Sequence, residues 1–245
     1  MGHVGAGHRK AELPMSPESV LNWLRFLGGG VCHQIPARSL QVAGTPLPLC
    51  ARDTGTYLGL ILALAVLLLR GRARAGLLPS WPLLIVLAGF FLAWGADGLN
   101  SYLELLGLPH LYEPHNALRL LTGTLQGMAL LLVVWPVAAF TFWRTPENRR
   151  VIHARELAGL VVAALLVTAI LSQPWAVPRY VAGVLSGLGL VAMFTLLNSL
   201  LLAVALHREG SGEKPADVLR LLALALAPAL LELVLLSLLR HHFLG

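Results

Sequence analysis

Six stretches of this chain stay apolar for about the length of a bilayer, at residues 54–70, 81–104, 116–143, 156–171, 178–207 and 216–240. Polar, Gly- or Pro-containing connections separate them. A spanning helix rises about 1.5 Å per residue and needs roughly 20 mostly apolar residues. The first and fourth stretches are short for that task, so they borrow flanking residues or sit where the bilayer thins. No series of alternating ten-residue segments occurs, which argues against a membrane β-barrel. The pattern predicts an all-α polytopic membrane bundle of about six transmembrane helices over 54–245, preceded by an N-terminal tail over 1–53.

Within the tail, Val20, Trp23, Leu24 and Leu27 share one face of a helix over 17–27, with Asn22 and Arg25 turned away. Ser16 suits its N-cap, Pro17 its first helical position and Glu18 its first turn. Such a helix is expected to lie in the headgroup layer and anchor the tail. Gly28, Gly29 and Gly30 stop it and leave the chain free to turn tightly.

Composition narrows the class further. Hydrophobic residues make up 57% of the 245 and charged residues 12%, against about 25% charged in a soluble domain. An ordinary cytosolic enzyme, a disordered chain and a disulfide-dense secreted domain are all excluded, the last because there are two cysteines. The net charge of +6 does not point to nucleic acid. The arginines sit at the ends of apolar blocks, where they meet lipid headgroups, and form no basic domain with interleaved aromatics. The first 30 residues lack an apolar core followed by a small-residue cleavage site, so insertion is expected to be directed by the protein's own helices. Arg70, Arg72 and Arg74, then Arg144, Arg149, Arg150 and Arg155, then Arg208, Lys214 and Arg220 crowd three alternate connections. Opposite them stand Arg119, Arg179 and Arg240, and the tail adds Arg9, Lys10, Arg25, Arg38 and Arg52. The short loops place the first set in the cytoplasm and both termini outside.

Residues 31–57 read VCHQIPARSLQVAGTPLPLCARDTGTY. This resembles the signature of an uncharacterised family of bacterial multi-pass membrane proteins: C-H-Q-x-P-x-R-S, then P-L-C-A-R-C-T-G-x-Y at the mouth of the first helix. Cys32, His33, Gln34, Pro36, Arg38, Ser39, Leu49, Cys50, Ala51, Arg52, Thr54, Gly55 and Tyr57 match it. The likeness extends more loosely through Asp97-Gly98, Asn116, Leu118-Arg119 and Thr122-Gly123, over roughly residues 30–127. It implies a bacterial cytoplasmic membrane, a multi-pass topology and a shared site, and it carries no activity. The signature's second C-x-x-C cysteine is Asp53 here, so an intramolecular dithiol exchange within that motif is excluded.

Three arrangements of this segment stay open. Cys32, His33, Cys50 and Asp53 offer two thiolates, an imidazole and a carboxylate, which zinc accepts in a tetrahedral shell. Residues 50 and 53 converge from one turn while adjacent Cys32 and His33 diverge if extended, so three protein ligands plus water are easier to build than four. Alternatively, a Cys32–Cys50 disulfide closes a loop of about 18 residues and stabilises the protein by roughly 3 kcal/mol. The third arrangement is two free, packed thiols.

Ionisable groups inside the membrane are costly and point to function. Asp97, Asn100, Ser101 and Glu104 form one stripe on the second helix. Arg119 opens the third helix, and Glu232 lies roughly 12 Å from the end of the sixth. An Asp97–Arg119 pair is the most economical neutralisation. The sharper expectation is an outward, water-filled pocket lined by Asp97, Asn100, Glu104, Arg119 and Glu232 beneath the Cys/His segment, with Glu232 either a proton carrier or the residue that Arg119 or Arg179 neutralises. Gly123-x3-Gly127 and Gly183-x3-Gly187 read as close-packing motifs. No phosphate-cradling loop, zinc-protease helix motif, nucleophile elbow or dinucleotide fingerprint occurs.

Three functions follow from this reading. One is a metal or thiol site, zinc being the natural ion, over a polar pocket. The second is a transporter or channel subunit for a small solute or protons. The third is a structural membrane partner, self-associating or bound to another membrane protein, whose polar groups only hold helices together.

Overall fold

The computed structural model describes residues 17–244, so Arg9, Lys10 and the proposed N-cap Ser16 lie outside the described residues. The helices are α1 (Pro17–Gly29), α2 (Ala51–Leu69), α3 (Trp81–Leu105), α4 (Asn116–Phe142), α5 (Ala154–Ser172), α6 (Ala176–Ala205) and α7 (Pro215–Leu244). The last six are long and apolar enough to cross a membrane, and they coincide with the six predicted stretches. The fold is an all-α polytopic bundle.

Helix α4 occupies the centre and is the most buried of the six. Its closest partner is α2, and four glycines explain why. A Cβ on Gly123 would lie 2.1 Å from the carbonyl oxygen of Arg52, and one on Gly127 1.8 Å from that of Thr56. Reciprocally, a Cβ on Gly55 would lie 2.2 Å from Leu120 O, and one on Gly59 2.0 Å from Thr124 O. The two backbones therefore touch along two turns, which small residues alone permit. The motif on α4 is legible in the sequence, and Gly55 and Gly59 of α2 complement it at the same four-residue spacing.

Glycines on α6 position α1. Leu24 fills the space above Gly187, and Leu21, which is buried, approaches Gly183. The predicted apolar face of α1 is thus corrected: Leu21 and Leu24 face the bundle, and Trp23 is 65% exposed. The groove that the two glycines open in α6 receives branched side chains, and this overrides the hydrophobic pattern of α1 itself.

Short strands tie the connections. β1 (Gln41–Val42) and β2 (Thr45–Pro46) form an antiparallel hairpin. Its central residues, Ala43 (φ 49°) and Gly44 (φ 80°), both sit in the left-handed region that a two-residue hairpin demands. At the opposite end of the bundle β3 (Ala75–Leu77) runs parallel to β4 (Glu147–Arg150). There Arg72 is buried and holds both carboxylate oxygens of Glu156, at 2.5 and 2.8 Å. Trp135 and Trp143 donate to the carbonyls of Arg72 and Ala73. This arginine, counted from the sequence as a topology signal, also joins α5 to the connection after α2.

Candidate functional site

The site is built where the chain between α1 and α2 folds over the end of the bundle. Cys50 is the N-cap of α2, with extended backbone and no side-chain cap bond. Its thiol reaches one turn along the helix, donating to Asp53 Oδ2 at 3.3 Å. Its backbone N–H donates to Cys32 Sγ at 3.2 Å. The ligand atoms of Cys32, Cys50 and Asp53 all lie within 4.8 Å of one another. Both cysteines are free thiols. Cys32 is buried, whereas Cys50 and Asp53 are half-buried. The hydrogen bond with Cys50, then burial, then the Asp53 charge push the Cys32 thiol well above its ordinary range.

Three polar side chains fix Cys32 in place. Arg240, near the end of α7, donates to the carbonyls of Gly29 (2.7 Å), Cys32 and His33 (2.8 Å). Gln34, itself at φ 52°, donates to the carbonyls of Arg25 (2.6 Å) and Pro48 (2.8 Å). Ser237 donates to Phe26 O at 2.6 Å. The carbonyls left open at the end of α1 are thus satisfied by α7. For Arg240, this contact takes the place of the headgroup position expected of an arginine at the end of an apolar block.

Beside the sulfur group lies a polar cluster centred on Asp97, which is 2% exposed. Arg52, two residues past Cys50, donates to Asp97 Oδ2 from Nε (3.1 Å) and Nη2, and to Ser101 Oγ at 3.0 Å. Tyr112 donates its phenol to Asp97 Oδ1 at 2.9 Å, and Thr122 donates to Oδ2 at 3.4 Å. Burial and then this bond to Asp97 push the Tyr112 phenol up to about 12. Arg38 pairs with Glu104 at 2.7 Å and donates to Ser101 O at 2.8 Å.

A cleft of about 320 Å³ joins the two groups. Cys50, Asp53 and His33 line one side; Arg38, Arg52 and Arg119 line another; Trp94, Gly98, Tyr102 and Leu105 of α3 form the apolar wall with Val31 and Ile35. Despite the pairing of its charges, the cluster does not close up.

Several sequence expectations change against this geometry. Asp97 is neutralised by Arg52, not by Arg119, because the Arg52 side chain reaches from α2 to α3 and bonds both the Asp97 carboxylate and its carbonyl. Arg119 instead donates to Asn116 Oδ1 at 3.0 Å and Ser101 Oγ at 3.4 Å. Asn100 accepts from Leu111 N–H and donates to Tyr112 O, folding the α3–α4 connection rather than lining the cleft. Glu104 contributes only through Arg38. Glu232 is not in the cleft: it sits exposed on α7 and accepts from Asn198 Nδ2 of α6 at 2.9 Å. His33 lines the cleft, but it is not one of the grouped donors Cys32, Cys50 and Asp53. Arg52, Arg38 and Tyr112 join the site beyond the residues that the sequence singles out for it. Arg52 was detectable as an arginine placed where an apolar helix begins, opposite an acid on the next one.

Residues 32–133 match a family described as "Predicted membrane protein (DUF2085)". The match takes in every cleft-lining residue but Val31. An uncharacterized protein of Methanocaldococcus jannaschii is 29% identical over 108 residues, which is 44% of this chain and 63% of that relative. The likeness therefore reaches an archaeon and is not confined to bacteria. The chain spans less than two thirds of the curated relative it matches. No solved structure matches the chain.

Proposed function

We propose that this multi-pass membrane protein holds one zinc-class divalent ion on Cys32, Cys50 and Asp53, at the outer mouth of the bundle. The observation that carries this reading is the convergence of two sulfurs and a carboxylate within 4.8 Å beside an open cleft. Thiolate sulfur with carboxylate oxygen is a donor set that suits zinc. Three protein donors leave a coordination position free, as in sites where a metal meets a water or a ligand rather than only bracing a fold. Metal binding would displace the thiol protons, so the raised Cys32 thiol stays protonated without an ion and binds one at the expense of that proton. The short connections rich in arginine support placing this mouth on the outer side, with both termini.

The test is metal analysis of full-length protein purified in detergent after growth with zinc, together with cobalt titration. About one ion per chain is expected, with cobalt giving tetrahedral and thiolate charge-transfer absorption. Cys32→Ser, Cys50→Ser and Asp53→Asn should each lose it, and His33→Ala should retain it. Metal-free protein carrying a quantitative Cys32–Cys50 disulfide would replace this reading with a structural one.

A further inference from the structure

The three arginines of the cleft are not equally matched. Arg38 has Glu104 and Arg52 has Asp97. Arg119 is 5% exposed and, among the described residues, has no carboxylate within 4.0 Å; its partners Asn116 and Ser101 are neutral. A buried guanidinium without a counter-charge is costly, and this one lines a cleft with room for a ligand. Guanidinium groups present paired N–H donors that fit phosphate oxygens.

The rest of the lining adds an apolar requirement. From Leu105 to Trp94 the wall follows α3 for roughly 16 Å into the bundle's length. Trp94, Tyr102 and Leu105 are each more than a third exposed, so this wall is continuous with the outward surface of a membrane-spanning helix. Val31 and Ile35 face it from the Cys segment. A small inorganic anion would use the arginine end and leave this wall uncovered.

We infer that the cleft binds the phosphate headgroup of an anionic lipid against Arg119, with an acyl chain lying along Trp94, Tyr102 and Leu105. The inference goes beyond the metal site and does not rest on it, since the Arg119 guanidinium lines the cleft whether or not an ion is bound. Arg38 and Arg52 remain tied to their carboxylates and shape the seat, while Arg119, with no ion-pair partner among the described residues, supplies the guanidinium.

Calorimetric titration of the full-length protein in neutral detergent tests this with three probes: dihexanoyl phosphatidic acid, dihexanoyl phosphatidylcholine and inorganic phosphate. Phosphatidic acid should bind about tenfold or more tightly than either of the others. Arg119→Gln should weaken it by about tenfold or more, and Arg119→Lys, which keeps the charge but loses the fork, by a smaller factor. Tyr102→Ala alters an exposed side chain that makes no hydrogen bond to another described residue, so it tests the wall should the Arg119 variants fail to fold. It should weaken phosphatidic acid several-fold and leave inorganic phosphate unchanged. Equal binding of the zwitterionic lipid, or wild-type affinity in a folded Arg119→Gln protein, overturns the seat. Inorganic phosphate binding as tightly as the lipid assigns the site to a free anion and overturns the lipid. Cobalt titration of the same proteins separates the two readings: Arg119→Gln should keep the ion while losing the lipid, and absence of cobalt binding with lipid binding intact would remove only the metal.

Discussion

Arg52 and Asp97 meet through two guanidinium nitrogens on a single carboxylate oxygen, with Arg52 also reaching the Asp97 carbonyl at 3.0 Å. One residue comes from the first turn of α2 and the other from the last third of α3, two helices that otherwise touch little. The pair fixes α3 against the α2–α4 core beside the cleft. Removing either partner strands a buried charge, and Arg52→Leu or Asp97→Leu should cost about 3–5 kcal/mol. The double substitution should recover much of the loss, because neither charge is then left alone. Thermal unfolding in detergent of the two single variants and the double variant reads this coupling directly. Additive losses would show that the residues act separately.

The glycine contact between α2 and α4 predicts a sharp positional contrast. Gly59→Ala forces a Cβ to 2.0 Å from Thr124 O, while Gly95→Ala on α3 meets nothing within 4 Å. The first should destabilise by about 1–3 kcal/mol or more, as overpacking against rigid backbone does. The second should be neutral or slightly stabilising, since alanine favours a helix. Melting temperatures of both proteins in the same detergent settle the comparison, and similar values would mean that the helices separate easily.

Tyr112 predicts a pH dependence. Its phenol is pushed up to about 12 in the folded protein, against about 10 in an unfolded chain. A raised folded value means that the stability it contributes is complete below pH 10 and is lost as the pH climbs from 10 towards 12. Absorbance titration of the wild type against Tyr112→Phe should give a difference curve in which the Tyr112 phenolate forms late, the substitution reducing the late component without abolishing it. Full ionisation near pH 10 in the native protein would contradict the Asp97 contact.

Glu232 provides a negative control for the cleft. It is exposed on α7 and bonded to Asn198, away from the Cys, Asp and Arg groups. Glu232→Gln should therefore bind metal and anionic lipid as the wild type does. A several-fold change in either measurement would place α7's carboxylate in communication with the cleft.

At the opposite end, Arg72 and Glu156 form a two-pronged pair between the connection after α2 and the start of α5. Glu156→Gln should destabilise the fold by roughly 3–5 kcal/mol, as breaking a buried pair does. It should leave cobalt and lipid affinity unchanged, because the bundle's length lies between the two ends. Thermal unfolding and the cobalt titration, run on one preparation, check both halves.

The six spans and the all-α bundle were readable from the sequence because burial in lipid is a local demand: each helix must be apolar by itself, whatever its neighbours. The meeting of Cys32, Cys50 and Asp53 was half legible, since Cys50 and Asp53 lie one turn apart and Cys32 is near in sequence. Which helix face points inward was not readable. In a chain apolar on every side, hydrophobic periodicity carries little information about rotation. Backbone contact between Gly55, Gly59, Gly123 and Gly127 sets the rotation of α2 and α4, and from it follows that Arg52 rather than Arg119 answers Asp97. Only tertiary packing could turn Glu232 away from the cleft towards Asn198, leave His33 outside the sulfur group and leave Arg119 buried without an acid. Charge pairing across helices depends on angles that no single helix encodes.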